Sequence, residues 1–317
     1  MGDQLNLFSD DPNNSGPVDP GKQILAPIPL DKDRLRTAVE LVPPDALYYL
    51  TQTYDIDSNL LGRLLRASRE NQIPGIKLTR KKIASLLTVP TKQIVGLTAS
   101  AIKAELILSN NMLTPFGKVV LNADPHLLNS GLLWFLHYLM ASNANLVLWS
   151  RLFNTIYYQA EIVTTSDFIT HFTDFKTSMR EQQFHDRGAS ELRSILQTYS
   201  NSLFKPLGLV VRFEERKYAV ITDEFSIPPS IWLASILAYR DRYYPGTGTL
   251  ETHLLVDAHF SPGRLFRQNE KQVRQALDRM HSLGLITVER GLGLDQVRFK
   301  SEFTWLSAVA RHLQEER

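Results

Sequence analysis

The segment that most constrains the fold of this chain is residues 269–299, where a basic amphipathic helix is followed by two short strands. Val273, Leu277 and Met280 recur at three- and four-residue spacing, which gives the helix one apolar face. Gly284 ends the helical pattern, because glycine readily takes the left-handed conformation that closes a helix. The alternating segments LITVER and DQVRF then predict a hairpin that turns through residues 291–294. Together these elements predict a winged helix.

A winged helix usually contacts nucleic acid through the exposed faces of its second helix and through its hairpin, the wing. The side chains expected to make those contacts here are Arg267, Lys271, Gln272, Arg274, Gln275 and Arg279, with Arg290 and Arg298 flanking the tip of the wing. Winged helices also serve as protein-interaction modules. The pattern alone therefore leaves both DNA and a protein as ligands.

A second segment, residues 78–107, predicts a helix-turn-helix. Thr79 is the expected N-cap of the first helix. The turn is expected at residues 88–90, although it lacks the glycine that such turns usually carry. The apolar positions expected to hold the two helices together are Ile83, Ala84, Leu87, Ile94 and Leu97.

Polar and basic residues cluster at the two helix starts of this segment. A recognition helix presents its first residues to base edges and phosphates, so these positions are the expected DNA contacts. They are Arg80, Lys81 and Lys82 on the first helix, and Thr91, Lys92 and Gln93 on the second. Similar patterns also arise by chance in helical bundles, which is the alternative interpretation.

The formal net charge is only +2, so affinity for phosphate must come from local clustering of cations. Residues 62–82 hold seven basic residues and one acid, a net of +6, whereas residues 1–33 hold six Asp and two Lys, a net of −4. The chain has no cysteine, which excludes disulfides, thiolate zinc sites and iron–sulfur clusters and favours a reducing cytoplasm. Without a signal pattern or an apolar run of ~18 residues, we expect a cytoplasmic protein with no membrane contact.

Composition shifts along the chain predict five regions. The fold class we expect is mainly α with small β-hairpin wings, in which helix-turn-helix and winged-helix units surround a helical core. The regions are a disordered acidic tail (1–29), an N-terminal helical region with the helix-turn-helix (30–110), an apolar helical core (111–160), a second winged-helix-like unit (161–225) and the C-terminal winged helix (226–317). The sequence leaves the role of the tail and the oligomeric state open.

The chain shows no arrangement of residues that predicts catalysis. It contains no phosphate-binding Walker loop, no glycine-rich dinucleotide turn and no paired His-Glu metalloprotease motif. The nearest group of possible metal ligands is His253, Asp257 and His259, in which the last residue falls beyond the end of a helix that carries the first two. The charged segment at residues 213–217 is interpreted as a solvated hairpin tip, and His137 as a satisfied buried histidine. We therefore expect neither an enzyme nor a bound metal or cofactor.

Several longer segments carry a family resemblance. They are LTPFGKVVL, ADPHLLNSGLLWFLHYLMASN, LWSRLFN, LRSILQTYSNSLFKPLGLV, FSPGRLFRQNEKQVRQALDRM and GLGLDQVRF. In this order, over roughly Leu78 to Phe299, the chain resembles the domain-of-unknown-function family numbered 4007. That family usually opens with a His-Glu-Thr-Phe segment and a nearby tryptophan, where this chain has LLGRLLRASRENQIPGI and a long extra N-terminus. Any role of the opening motif is therefore not carried over.

The resemblance implies an accessory protein encoded beside bacterial DNA-modification and phage-defence systems, notably those that place sulfur in the DNA backbone. Combined with the basic helical segments, it predicts a non-enzymatic subunit that binds double-stranded DNA and positions a partner enzyme. One alternative is a protein–protein adaptor within such a complex. Another is a winged-helix transcriptional regulator, which would require a symmetric dimer and a palindromic site.

Overall fold

The computed structural model describes residues 50–70, 78–157, 162–164, 181–215, 217–221, 225–291 and 293–316. The predicted acidic tail and the helices expected before residue 50 lie outside the described residues. So does the segment TSDFITHFTDF, with which the second winged-helix-like unit was expected to begin.

Four helices form the N-terminal part of the described chain: α1 (Ser58–Glu70), α2 (Arg80–Leu87), α3 (Thr91–Lys103) and α4 (Pro115–Ala123). Side-chain caps define several of their starts. The predicted cap Thr79 accepts a hydrogen bond from the Lys82 amide at 3.3 Å, and Thr114 accepts one from the Gly117 amide at 2.9 Å. Helices α1, α2 and α3 pack against one another. Two packed helices joined by a short turn are thus present where the sequence predicted a helix-turn-helix.

The turn between α2 and α3 contains a left-handed backbone conformation at a residue that is not glycine. Thr88 has a φ of 59°, the left-handed conformation in which such turns usually place glycine. The missing glycine therefore did not prevent the turn, because Thr88 takes the strained conformation itself.

Replacing Thr88 with glycine is expected to stabilise the protein. Left-handed backbone costs a non-glycine residue roughly 1–2 kcal/mol, whereas glycine adds about 0.5–1 kcal/mol of chain entropy to the unfolded state. The strain relieved is the larger quantity, so Thr88→Gly should raise the free energy of unfolding by about 0.5–1 kcal/mol. Urea denaturation measures the change, and an unchanged or lowered stability would show that Thr88 is not strained.

The centre of the fold is α5 (Ser130–Ala141), followed by α6 (Val147–Arg151) and a π-helical turn (Leu152–Ile156). Every residue of α5 after Ser130 is buried, so the most apolar segment of the sequence is core, as predicted. Asn129 caps this helix by accepting a hydrogen bond from the Leu132 amide at 2.7 Å.

His137 lies at the middle of a buried hydrogen-bond chain. Its Nε2 contacts the Leu265 carbonyl at 3.0 Å, and its Nδ1 contacts the Tyr199 hydroxyl at 2.5 Å. A carbonyl only accepts, so Nε2 carries the proton and Nδ1 accepts from Tyr199, which in turn accepts from the Trp149 indole at 2.9 Å. Burial lowers the pKa of His137 to about 4. The prediction of a satisfied buried histidine is confirmed.

A small sheet and a long helix follow the core. Strands β1 (Ile162–Thr164), β2 (Val210–Glu214) and β3 (Lys217–Val220) pair antiparallel in the order β1-β3-β2, and α7 (Glu181–Ser200) precedes the β2–β3 hairpin. Helix α7 contacts the N-terminal part through Glu191, whose carboxylate accepts a hydrogen bond from the Thr51 amide at 2.6 Å. Burial raises the pKa of this carboxyl. The interaction fixes the turn that precedes α1.

The C-terminal part contains, in order, α8 (Pro229–Tyr243), β4 (Thr249–Glu251), α9 (Thr252–Val256), α10 (Pro262–Leu265), α11 (Glu270–Ser282), β5 (Ile286–Gly291), β6 (Leu294–Phe299) and α12 (Trp305–Glu315). Its three strands pair antiparallel in the order β4-β6-β5. As predicted, α11 buries Val273, Leu277 and Met280, and Gly284 has a left-handed φ of 69°. The segment LETHLLVD (residues 250–257) has a sequence that favours a helix, but its first two residues join β4 and the helix begins at Thr252.

A half-buried arginine connects the N-terminal and C-terminal parts. Arg242, near the end of α8, donates hydrogen bonds to Glu105, just after α3, at 3.0 Å and to the Ser142 hydroxyl at 2.9 Å. The described residues form a mainly helical fold with two small antiparallel sheets, which agrees with the fold class expected from the sequence at that coarse level. Within the described ranges, the helices are too short or too polar to cross a lipid bilayer.

Candidate nucleic-acid interface

The α2–α3 surface presents most of its predicted DNA contacts to solvent. The exposed residues are Arg80, Lys81 and Lys82 in the first turn of α2 and Thr91 and Lys92 in the first turn of α3. Gln93 is half-buried and lines a small cavity between α3 and the turn at residues 51–56. In the described part of the chain, no carboxylate forms an ion pair with Lys81, Lys82 or Lys92. These three ammonium groups are therefore available to an anionic ligand.

Close backbone packing sets the position of α3. Ile94 and Leu97 are buried beneath it, and Gly96 lies against the turn before α1. A β-carbon at position 96 would lie 2.3 Å from the carbonyl oxygen of Thr51. Only glycine permits this approach, and the exposed first turn of α3 is consequently held in a fixed place.

The α11 surface differs, because its central arginine is engaged within the protein. The Arg274 guanidinium contacts both carboxylate oxygens of Asp295 in β6, at 3.1 and 2.7 Å, and Glu270 at 2.9 Å. These hydrogen bonds hold the pKa of Asp295 below its usual range. Arg274 thus connects α11 to the β5–β6 hairpin.

The arginines of the wing are paired in the same way. Arg290 contacts Asp278 of α11 at 2.9 Å, and Arg298 contacts Glu289 of the neighbouring strand at 2.6 Å. Arg290 lies near the wing tip as predicted, opposite Asp295. Arg298 does not, because it pairs with Thr287 and Thr249 towards the base of the hairpin.

The remaining predicted contacts of this surface divide into two groups. Lys271, Gln275 and Arg279 are exposed on α11. The side chain of Gln272 caps the start of α11, because it accepts a hydrogen bond from the Asn269 amide at 2.8 Å. Arg267 precedes α11 and donates to the Tyr157 carbonyl, so it does not lie on a face of the helix as the sequence suggested.

Charge counts separate the two surfaces. Residues 58–70 and 78–103 together hold eight Lys or Arg and one acid, a net of +7. Residues 269–299 hold five Lys or Arg and four acids, a net of +1. The α2–α3 surface and the neighbouring helix α1 therefore carry most of the positive potential of the two candidate units.

The interaction of Arg274 with Asp295 predicts a pH-dependent stability. The pKa of Asp295 is lower in the folded protein than in the unfolded chain, so its stabilisation is present above about pH 4 and is lost as the pH falls through the folded pKa. Asp295→Asn should lower the free energy of unfolding by about 1 kcal/mol at pH 7, since both side chains are a third or more exposed. Urea denaturation at pH 7 and pH 3 checks this. An equal deficit at both pH values would contradict it.

Two other charged groups form local polar contacts. His253 contacts Glu251 at 2.9 Å, and the part of the chain that the structure describes contains no group of three or more His, Cys, Asp or Glu able to hold a metal ion. At the β2–β3 hairpin tip, Glu214 and Lys217 form an exposed ion pair at 2.6 Å.

Comparison with known protein families gives a match over residues 95–313, to the family described as protein of unknown function (DUF4007). The match covers 219 of the 317 residues. The chain belongs to the DUF4007 family. The match begins inside α3, later than the Leu78 expected from the sequence, and ends in α12. Helices α1 and α2 and the first turn of α3 therefore precede the part shared with DUF4007.

Two solved structures have the same fold over most of their length. One, titled "Magnesium ion-bound SspB crystal structure", has a TM-score of 0.68 and 18% identity, with 88% of this chain and 89% of that chain covered. The other, titled "SspB crystal structure", has a TM-score of 0.68 and 17% identity over the same shares. At this identity the likeness establishes the fold. No curated protein matches the chain.

Proposed function

We propose that this protein is a non-enzymatic accessory subunit of a bacterial DNA-modification (phosphorothioation) or anti-phage defence complex, in which it binds duplex DNA and positions a partner enzyme. Membership of the DUF4007 family supports the accessory role, because the family resemblance implies a place beside such systems. The chain lacks cysteine, which supports a cytoplasmic location.

One observation carries the DNA-binding proposal. Lys81, Lys82 and Lys92 lie on the first turns of two consecutive helices of a helix-turn-helix, exposed and without ion pairs among the described residues. Lysines placed so neutralise phosphates and release the counterions that surround DNA, which gives an affinity that falls steeply with salt. In this proposal Thr91, exposed in the first turn of α3, reaches the base edges, whereas Gln93 is half-buried against the turn at residues 51–56.

The C-terminal part supplies a second contact in this proposal. The order of α8, β4, α9, α10, α11, β5 and β6, with β6 in the middle of the sheet, supports a winged helix in this part of the chain. Helix α11 is then the recognition helix, and Lys271, Gln275 and Arg279 are its exposed contacts. The contact made by α11 is weaker than that made by α2 and α3, because the net charge of residues 269–299 is only +1.

An electrophoretic mobility-shift titration of the full chain against duplex DNA tests the proposal. At 50 mM salt or less we expect a shift that weakens as salt is raised, because the binding comes mainly from phosphates. A chain that leaves duplex DNA unshifted under these conditions does not bind DNA, and the proposal fails.

The ion pairs of the wing favour a second candidate function, that of a protein–protein adaptor. Arg274, Arg290 and Arg298 are neutralised by carboxylates, so the wing is less suited to a polyanion than its sequence suggests. In this case α11 and the wing bind the partner enzyme. Co-purification of a partner from nuclease-treated extract, lost on changing Lys271 and Arg279 to Glu, would support the adaptor. Loss of DNA binding in the same variant would instead favour the winged-helix contact.

A further inference from the structure

We propose that the DNA surface extends beyond the helix-turn-helix onto α1, where Arg63, Arg66 and Arg69 hold the phosphates of the bound duplex. This inference rests on the proposed function and names further residues that make the contact. The sequence counted them in the basic cluster of residues 62–82 without assigning them as DNA contacts, and they lie outside the range shared with DUF4007.

The three arginines share one side of α1. They recur every three residues, which places them along adjacent turns of the helix. The other side buries the apolar residues that hold α1 against α2, α3 and α4, namely Leu61, Leu64, Leu65 and Ala67. Arg69 is exposed, and Arg63 and Arg66 are half-buried along their stems. Helix α1 therefore presents a row of guanidinium groups at its surface.

Contacts between helices make this row continuous with the α2–α3 surface. The Arg63 guanidinium reaches the carbonyl of Leu86, in the last turn of α2, at 3.3 Å. Leu86 lies just before the turn that leads to α3, and its side chain is 48% exposed. Arg63 consequently lies at the solvent edge of the helix-turn-helix, on the side where α3 begins.

Arg66 occupies a second basic position on the same row. Its guanidinium donates to the Pro125 carbonyl at 3.4 Å and contacts the His126 Nδ1 at 3.3 Å. Within the described residues, carboxylates form no ion pair with Arg63, Arg66 or Arg69. By contrast, Arg274, Arg290 and Arg298 each form an ion pair with an acidic side chain.

The charge balance of α1 to α3 indicates which kind of ligand the row of arginines on α1 binds. Eight cations with one acid over α1 to α3 repel one another in the free protein. A ligand with regularly spaced negative charges relieves that repulsion, and the phosphates of duplex DNA provide them over the length of a helix. The guanidinium fork also suits phosphate oxygens better than a lysine ammonium does.

The test is the salt dependence of duplex binding by the Arg63→Gln, Arg69→Gln double variant of the full chain. Arg66 is left in place because it also contacts the loop after α4. Loss of two phosphate contacts should lower the slope of log Kd against log salt by about 1.8, with affinity lower on the order of 10- to 60-fold at 0.1 M salt. The matched control, Lys205→Gln with Lys300→Gln, removes the same charge from two lysines that form no ion pair among the described residues and should leave the slope unchanged.

The outcomes separate this inference from the function on which it rests. If the wild type binds and the double variant has the slope of the control, α1 does not contact phosphates and the inference is overturned while the DNA-binding function stands. If the wild type does not bind duplex DNA, the proposed function itself fails. Circular dichroism melting of both variants confirms that a changed slope reflects contacts rather than unfolding.

Discussion

Changing Lys81, Lys82 and Lys92 together to glutamine is expected to lower the affinity for duplex DNA by on the order of 100-fold or more at 0.1 M salt, with a salt slope smaller by about 2.7. The three lysines are exposed on the first turns of α2 and α3 and form no ion pairs among the described residues. Glutamine keeps much of the side-chain length and removes the charge. Fluorescence anisotropy with a labelled duplex over a range of salt concentrations measures both quantities.

A control with the same loss of charge distinguishes local contact from a general electrostatic effect. Lys118→Gln, Lys300→Gln and Arg311→Gln remove three cations outside α2 and α3. This variant should bind DNA nearly as the wild type does, and both variants should keep their thermal stability within about 0.5 kcal/mol, as exposed substitutions usually do. Equal loss of affinity in the two triple variants would show that α2 and α3 are not the site.

Gly96→Ala is expected to destabilise the protein by about 1–2 kcal/mol, the cost of a steric clash less the gain in helix propensity. The new β-carbon would lie 2.3 Å from the Thr51 carbonyl oxygen and 2.6 Å from its carbon, and both are backbone atoms that cannot rotate away. Forcing a methyl group into such a contact costs typically 1–3 kcal/mol and occasionally more. Alanine also gains up to about 1 kcal/mol of helix propensity over glycine, but the clash with the backbone is expected to exceed it.

Gly248→Ala is the matched control for this substitution. A β-carbon there meets nothing within 4 Å, and the backbone is not left-handed, so its stability should stay close to that of the wild type. Urea denaturation compares the three proteins. Because α3 carries Thr91 and Lys92 in its first turn, Gly96→Ala should also weaken DNA binding when measured below its unfolding transition. A Gly96→Ala protein as stable as the control would show that α3 does not pack against the turn at Thr51.

The features that could be predicted from the sequence are those fixed by local patterns. The buried face of α11 follows from the spacing of Val273, Leu277 and Met280, and the α2 cap follows from the hydroxyl of Thr79. The apolar run around α5 predicted the core for a similar reason, since a helix that is apolar on every side must be buried.

The features that were missed depend on residues distant in the sequence. Arg274 looked like an exposed cation because Asp295, 21 residues later, reaches it only after the hairpin folds back onto α11. Arg267 was placed on the wrong element because its backbone and its contact with Tyr157 lie before the cap at Asn269. Counting charges along the sequence therefore does not show which of them remain available to a ligand in the folded chain.

The arginines of α1 were missed for a different reason. Their clustering was visible in the sequence, but a row of cations on one helix is usually only a solvated face. The contact of Arg63 with Leu86 is what connects that row to the helix-turn-helix, and it depends on how α1 packs against α2.

Protection of individual lysines from acetylation, measured by mass spectrometry with and without duplex DNA, tests the central claim most directly. That claim is that the first turns of α2 and α3 face the phosphates. We expect duplex DNA to protect Lys81, Lys82 and Lys92 while Lys118 and Lys300 react as before. Equal reactivity of the first three lysines in the presence and absence of bound DNA would contradict it.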